Sequence, residues 1–190
     1  MGDAIASVFV VSGPSGAGKG TVMALVQARV GRLVKAVSAT TRAPRPGEED
    51  GREYHFVDRA AFARAVSAGE FLEWVHYTCE MYGTLRSEVS DKLAAGDDVI
   101  LEIELAGARA VRTALPEAVT LFMAPPSMAE LSDRLRGRGT EDDAAIARRL
   151  HIAEIEVAAA HEFDHVIVND DAERAAAEVA AIIEERRKGS

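Results

Sequence analysis

Apolar residues in this chain gather into two kinds of run that take turns along its length. Short runs rich in β-branched and aliphatic residues, at 4–11, 33–39, 98–103, 118–123 and 165–168, have the length and composition of buried strands. The first stops against Gly13-Pro14. Residues 18–30 instead carry Val22, Leu25, Val26 and Val30 at helical spacing. Two later helices have legible starts: Ser127 with Glu130 forms a capping box after Pro125-Pro126, and Asp170 with Glu173 repeats the pattern. The last helix closes on Arg186, Arg187 and Lys188, the charge its dipole favours there. Strands alternating with helices predict an α/β fold with a parallel sheet flanked by helices. A ligand is then expected at the carboxyl ends of the strands.

Two segments break the alternation. Residues 40–90 form a polar, turn-rich insertion with short strands and a helix near 59–67. Residues 134–149 are dense in arginine and centred on GRGTEDD, which reads as a mobile connection. A solvated helix face is the plain alternative for those arginines. At 190 residues the chain is about one domain long, and its 48% hydrophobic and 28% charged residues describe a soluble globular protein. A formal charge of -9 argues against nucleic acid as a partner, so any polyanionic ligand must be met by basic residues gathered locally. The single cysteine, Cys79, cannot form an internal disulfide and suits a reducing compartment. No basic leader precedes the first apolar run, and no run approaches the roughly 18 residues of a membrane helix. Gly2 is followed by Ala6 where a myristoylation signal asks for Ser or Thr. The expectation is a cytoplasmic protein with no membrane partner.

The stretch VVSGPSGAGKGT, residues 10–21, carries the first chemistry. Gly13, Gly18 and Lys19 match the phosphate-binding pattern G-x-x-x-x-G-K. Across Gly13, Pro14, Ser15, Gly16, Ala17 and Gly18 the backbone can curl its N–H groups inward onto phosphate oxygens. The loop then runs into a helix N-terminus that favours anions, and Lys19 adds a point charge for the outer phosphates. The pattern next asks for Ser or Thr to contact magnesium, yet Gly20 stands there and the hydroxyl comes one residue late, at Thr21. One residue along a helix turns a side chain by about 100°, so Thr21 is no substitute. Magnesium keeps several waters and leans on substrate phosphates. The departure removes one inner-shell oxygen and leaves the nucleotide site.

The insertion supplies the second chemistry. In SATTRAPRPGEEDGREYHF, residues 38–56, Arg42 and Arg45 flank a proline and are followed by Glu48 and Tyr54. Two guanidinium forks on a stiff loop suit a phosphate monoester. Glu73, in EFLEW, offers only acceptors. Guanine presents N1–H and N2–H2 side by side, whereas adenine has no N1–H and would leave a buried charge unpaired. Taken alone, Glu73 reads better as a surface carboxylate.

With these motifs on the page, the chain resembles a guanylate kinase. The matching runs are GPSGAGK, S-x-TTR-x-PR-x-GE with Tyr54, EF-x-EW, YG-T, LEI, APPS, RGRGTE and VIVND, in family order over nearly the whole chain. The resemblance implies a P-loop NTPase-type core at 1–39 and 91–190, a GMP-binding insertion at 40–90 and an arginine-rich lid at about 134–149, all in one domain, 1–190. It implies transfer of the γ-phosphoryl group of ATP to GMP, with Mg2+ bound alongside ATP and no structural metal or obligate protein partner. Residues 13–21, with Arg134, Arg138 and Asn169, would bind ATP. Ser38, Arg42, Arg45, Glu48, Tyr54, Glu73, Tyr82 and Thr84 would hold GMP, joined by Glu102 and Glu104. Ser38, Glu73 and Thr84 would read the base, while Arg42, Arg45, Tyr54 and Tyr82 would face the phosphate. Lys19, Arg42, Arg134, Arg138 and Arg149 would be catalytic, and Glu102 would reach the metal through water. Besides Gly20, the chain departs from the family at Glu104, where Asp is usual. Three rival readings are an inactive guanylate-kinase-like protein-binding module, a kinase for AMP (suggested by GKGT), and zinc chemistry at HEFDH, residues 161–165. The last needs both histidines on one face of a continuing helix, and VIVND follows too soon for that.

Overall fold

In the computed structural model, which describes residues 6–77, 79–137 and 142–189, the chain opens with β1 (Val8–Ser12), α1 (Lys19–Arg29) and β2 (Leu33–Lys35). A polar segment follows: β3 (Ala39–Thr40), β4 (His55–Phe56), α2 (Arg59–Ser67), β5 (Phe71–Tyr77), β6 (Glu80–Leu85) and α3 (Arg86–Ala94). Next come β7 (Asp98–Glu102), α4 (Leu105–Ala114), β8 (Val119–Ala124) and α5 (Met128–Arg136). The chain finishes with α6 (Asp143–Ala158), β9 (His165–Val168) and α7 (Ala172–Lys188). Five strands form a wholly parallel sheet in the order β2-β7-β1-β8-β9, and a smaller sheet runs β4-β3-β6-β5.

The period-two geometry of a strand sorts the core into two layers. Phe9 and Val11 point to the layer that also holds Val22, Met23 and Val26 of α1 and Val179 and Ile183 of α7. Val8 and Val10 point to the other, with Ala108 and Val111 of α4 and Val89 of α3. This double covering explains why the strands read as continuous apolar runs. The neighbours β1 and β7 are thus followed by helices on opposite faces, and the crevice between their carboxyl ends is the switch point where α/β sheets bind ligands. The smaller sheet rests on a much smaller cluster of Ala39, Phe62 and Phe71. At about 1.5–3 kcal/mol for each buried phenylalanine, it is the less deeply anchored part of the fold.

Several local expectations need correction. The apolar run 33–39 is not one strand: β2 ends at Lys35, and Ala39 begins β3 in the other sheet. An unbroken apolar pattern says that a strand is buried, not which sheet it joins. The arginine-rich span 134–149 is mostly helix, because α5 runs to Arg136 and α6 starts at Asp143. Asp142 caps α6, accepting from Ala145 N at 2.7 Å, and residues 138–141 lie outside those described. The last helix is capped by Asp171, which accepts from Arg174 N at 2.8 Å, and not by Asp170. Ser127 does cap α5, accepting from Glu130 N at 3.1 Å, but the Glu130 carboxylate turns to Arg134 instead of closing the box.

Arg187 has a more specific partner than the helix dipole. Its Nε donates to buried Asp98 at 2.7 Å, which also accepts from Ser7 N at 2.7 Å, so α7 is tied to the start of the central strands. In HEFDH, His161 lies in a 3-10 turn (Ala160–Glu162) and His165 begins β9, so the two histidines never share a helix. Among the described residues no helix is long and apolar enough to cross a membrane.

Candidate functional site

The loop after β1 owes its shape to close backbone packing. Gly13 has φ 140°, and an added Cβ would fall 2.3 Å from Met123 O of β8. Gly18 has φ 87°, and its Cβ would fall 2.3 Å from Asn169 Nδ2. Both need glycine on two counts, backbone angle and space. Asn169 is buried and donates its side-chain N–H to Ala17 O at 2.7 Å, so the residue after β9 holds the loop from beneath. Lys19 Nζ donates to the carbonyls of Gly13 and Pro14, the latter at 3.1 Å.

Gly20 lies one step into the helix with nothing within 4 Å of an added Cβ. A serine fits there without strain. On the activity that the resemblance implies, Gly20→Ser should keep the GMP response unchanged and lower the magnesium concentration for half-maximal activity severalfold. Titrating activity against magnesium checks this, and rescue of an inactive parent would contradict a competent loop.

Facing the loop is a cleft of about 470 Å³ at the carboxyl ends of β1, β2 and β7. Gly13, Ser15 and Lys19 form one wall; Ser38, Arg45, Tyr54, Glu73 and Tyr82 from the smaller sheet and its loops form the other. Glu102 and Glu104 line its floor. Arg42 is not among the residues that line the cleft. Its fork meets Glu48 at 2.9 and 3.0 Å, and its guanidinium carbon stands 5.4 Å from the centre of the Tyr54 ring. Glu48 also accepts from Arg45 N at 2.8 Å and is held below the usual carboxylate range, chiefly by Arg42. Glu48 is thus a strut between the two arginines.

Glu73 is 5% exposed, and its Oε1 accepts from the buried Thr84 hydroxyl at 2.8 Å. Burial raises its pKa, against the opposing hydrogen bonds from Thr84. The surface-carboxylate alternative is therefore wrong, because Glu73 shares the cleft-facing side of β5 with Val75 and Tyr77.

Of the arginines at 134–149, Arg149 reaches the cleft, donating to Ser15 Oγ at 3.2 Å. Arg134 is seated on Glu130 at 2.5 Å and on Asn169 O at 3.0 Å. Arg138 lies outside the described residues. Thr21 is exposed on the first turn of α1.

Among the cleft residues not anticipated from the sequence are Lys35 and Glu156. Lys35, at the end of β2, pairs with Glu102 at 3.1 Å. Glu156 lies seven residues after Arg149 on α6, with Ile152 between them at three, and all three line the cleft. That is one helical face, so assigning Arg149 would have found Glu156. The lysine left a signal too, as the one charge inside an apolar run.

Burial raises Glu156, opposed by Lys19; it also raises Glu104, where repulsion from Glu156 and Glu73 adds to the effect. A folded-state pKa above the unfolded value means the native form holds its proton longer, so stability falls as pH rises through that pKa. Glu156→Gln should then raise the thermal midpoint of the ligand-free protein at about pH 8 but much less at about pH 4, where the unfolded state too is mostly protonated. A lower midpoint at the alkaline end would mean that the ionised carboxylate is held by partners.

With this geometry in place, likeness to known proteins gains physical content. A family model described as guanylate kinase matches residues 6–186. A guanylate kinase of Frankia casuarinae is 56% identical over 174 residues, covering 92% of this chain and 95% of that protein. One from Synechococcus sp. is 53% identical over 175 residues, covering 92% of both. The crystal structure of guanylate kinase from Anaplasma phagocytophilum superposes with a TM-score of 0.76 at 31% identity, covering 97% of this chain and 87% of that one. A phosphate-binding loop, a switch-point cleft and a second sheet carrying a buried carboxylate thus coincide with similarity over nearly the full length, and the chain belongs to the guanylate kinase family.

Proposed function

We propose that this protein moves the γ-phosphoryl group of ATP to the phosphate of GMP, giving ADP and GDP. The observation carrying this reading is the buried Glu73 carboxylate, braced by Thr84, in the same cleft as Lys19 and Arg149. An acceptor-only group in a low-dielectric pocket selects a base edge with two adjacent donors, which guanine has and adenine lacks. Arg45 and Tyr82 line the same wall, where they suit the monophosphate, with Arg42 held behind them by Glu48.

An oxygen of the GMP phosphate attacks the γ-phosphorus while the bond to the β–γ bridging oxygen breaks and ADP leaves. The acceptor is already ionised, so no general base is required. Lys19 leaves the loop carbonyls for the outer phosphates, and Arg149 approaches the same oxygens from α6. Catalysis here is positioning and charge neutralisation.

The residues fit a magnesium ion carried mainly by ATP and water. Gly20 offers no hydroxyl, and Glu102, the acidic group at the end of β7 that Lys35 now pairs, would hold the ion through water. When bound, the ion supplies further neutralisation of phosphate charge.

The test is ADP release with ATP, magnesium and either GMP or AMP. Release that depends on GMP is expected. Equal use of AMP would defeat the base-reading role of Glu73. No release from folded protein would favour a binding module instead.

A further inference from the structure

We propose that Gly107, on helix α4 of the main sheet, positions the base-reading carboxylate of Glu73 and so helps set base specificity. This rests on the role given to Glu73 above. The two Glu73 oxygens have different surroundings. Oε1 accepts from Thr84 Oγ1 at 2.8 Å, within the smaller sheet. Oε2 lies against α4, where a Cβ added to Gly107 would stand 2.8 Å from it and 3.4 Å from Glu73 Cδ. Those distances leave no room for a methyl group, so the missing side chain is the notch that receives the carboxylate.

Glycine inside a helix costs stability relative to alanine, and Gly107 has no left-handed backbone angle to require it. Its other close neighbour, Ile103 Cβ at 3.4 Å, would be an ordinary contact. What a methyl at 107 meets is therefore the free end of one side chain. That end can turn away while the backbone stays in place, and the group that turns is the one that reads the base. Helix α4 packs against β5, the strand carrying Glu73. The carboxylate is thus clamped on one side by its own sheet and on the other by the main domain, which fixes its rotation before a base arrives. Preorganised acceptors recognise a donor pair more sharply than mobile ones.

The experiment compares Gly107→Ala with the parent using GMP and IMP, whose base keeps N1–H but lacks the 2-amino group. Expected are a GMP KM raised about tenfold, a kcat and an ATP KM within about twofold, and a narrowed preference for GMP over IMP, with the protein still folding cooperatively because the helix gain of alanine offsets part of the cost of moving the carboxylate. A purely structural role would not move the ratio between two purines. In a Glu73→Gln background, Gly107→Ala should add almost nothing, because the group it displaces is already disabled. An unchanged GMP KM and GMP/IMP ratio in Gly107→Ala overturns the proposal. So does failure of Gly107→Ala to fold, since the packing and not the carboxylate would then have absorbed the methyl group. If Glu73→Gln itself keeps full GMP selectivity, the base-reading role fails, and the positioning role fails with it by a separate result.

Discussion

Glu73→Gln lowers kcat/KM for GMP by at least about 10²-fold while leaving ATP binding close to that of the parent. The size follows from the mismatch the change creates. In the proposed site guanine would turn two donors toward the pocket, and the carboxylate would answer with two acceptors. Glutamine keeps the shape but replaces one acceptor with an NH2 that opposes a donor. With the position 5% exposed, no water can repair the mismatch. ATP is spared because Glu73 lies on β5 of the smaller sheet, whereas the phosphate loop follows β1.

The same residue predicts a pH dependence. Burial raises the Glu73 pKa, and protonation converts one acceptor into a donor. As pH falls, the GMP KM should therefore rise at a pH above the ordinary glutamate range, and Glu73→Gln should flatten that limb. Steady-state kinetics across pH, with GMP varied at saturating ATP, measures both effects. A Glu73→Gln enzyme with parental kcat/KM for GMP would remove the basis for base selection.

Arg149→Ala carries the second large effect, a loss of about 10³-fold in kcat, the scale of a transition-state arginine in phosphoryl transfer. Arg149 is the described arginine of 134–149 that lines the cleft, and its contact with Ser15 Oγ at 3.2 Å sets its guanidinium over the phosphate loop. Charge on the migrating phosphoryl group is spread over several oxygens, so a fork that meets two of them outperforms a point charge. Arg149→Lys should accordingly recover only a small part of the loss. Single-turnover measurement separates the chemical step from binding, and the ATP dissociation constant should change far less than kcat. If both variants turn over like the parent, the phosphoryl charge is neutralised elsewhere.

Contiguous sequence was enough to expose the parallel α/β plan, the phosphate loop and the helix 59–67, because each is written in local terms. Strand burial shows as an unbroken apolar run, a helix as a 3.6-residue spacing, and a phosphate loop as glycines at set intervals followed by a helix start. Family resemblance then pointed to Glu73 among many glutamates, since nothing around EFLEW by itself tells a buried carboxylate from an exposed one.

Tertiary structure decided what those side chains meet. The run 33–39 splits between two sheets because pairing partners are chosen by the fold, not by apolarity. Glu48 braces Arg42, Lys35 holds Glu102, and Arg149 reaches Ser15 from 134 residues away. The notch at Gly107 has meaning only beside a carboxylate on a different sheet. Backbone preference depends on a residue and its near neighbours in the chain. The dielectric, charge and space around a functional group come from segments that only folding brings together.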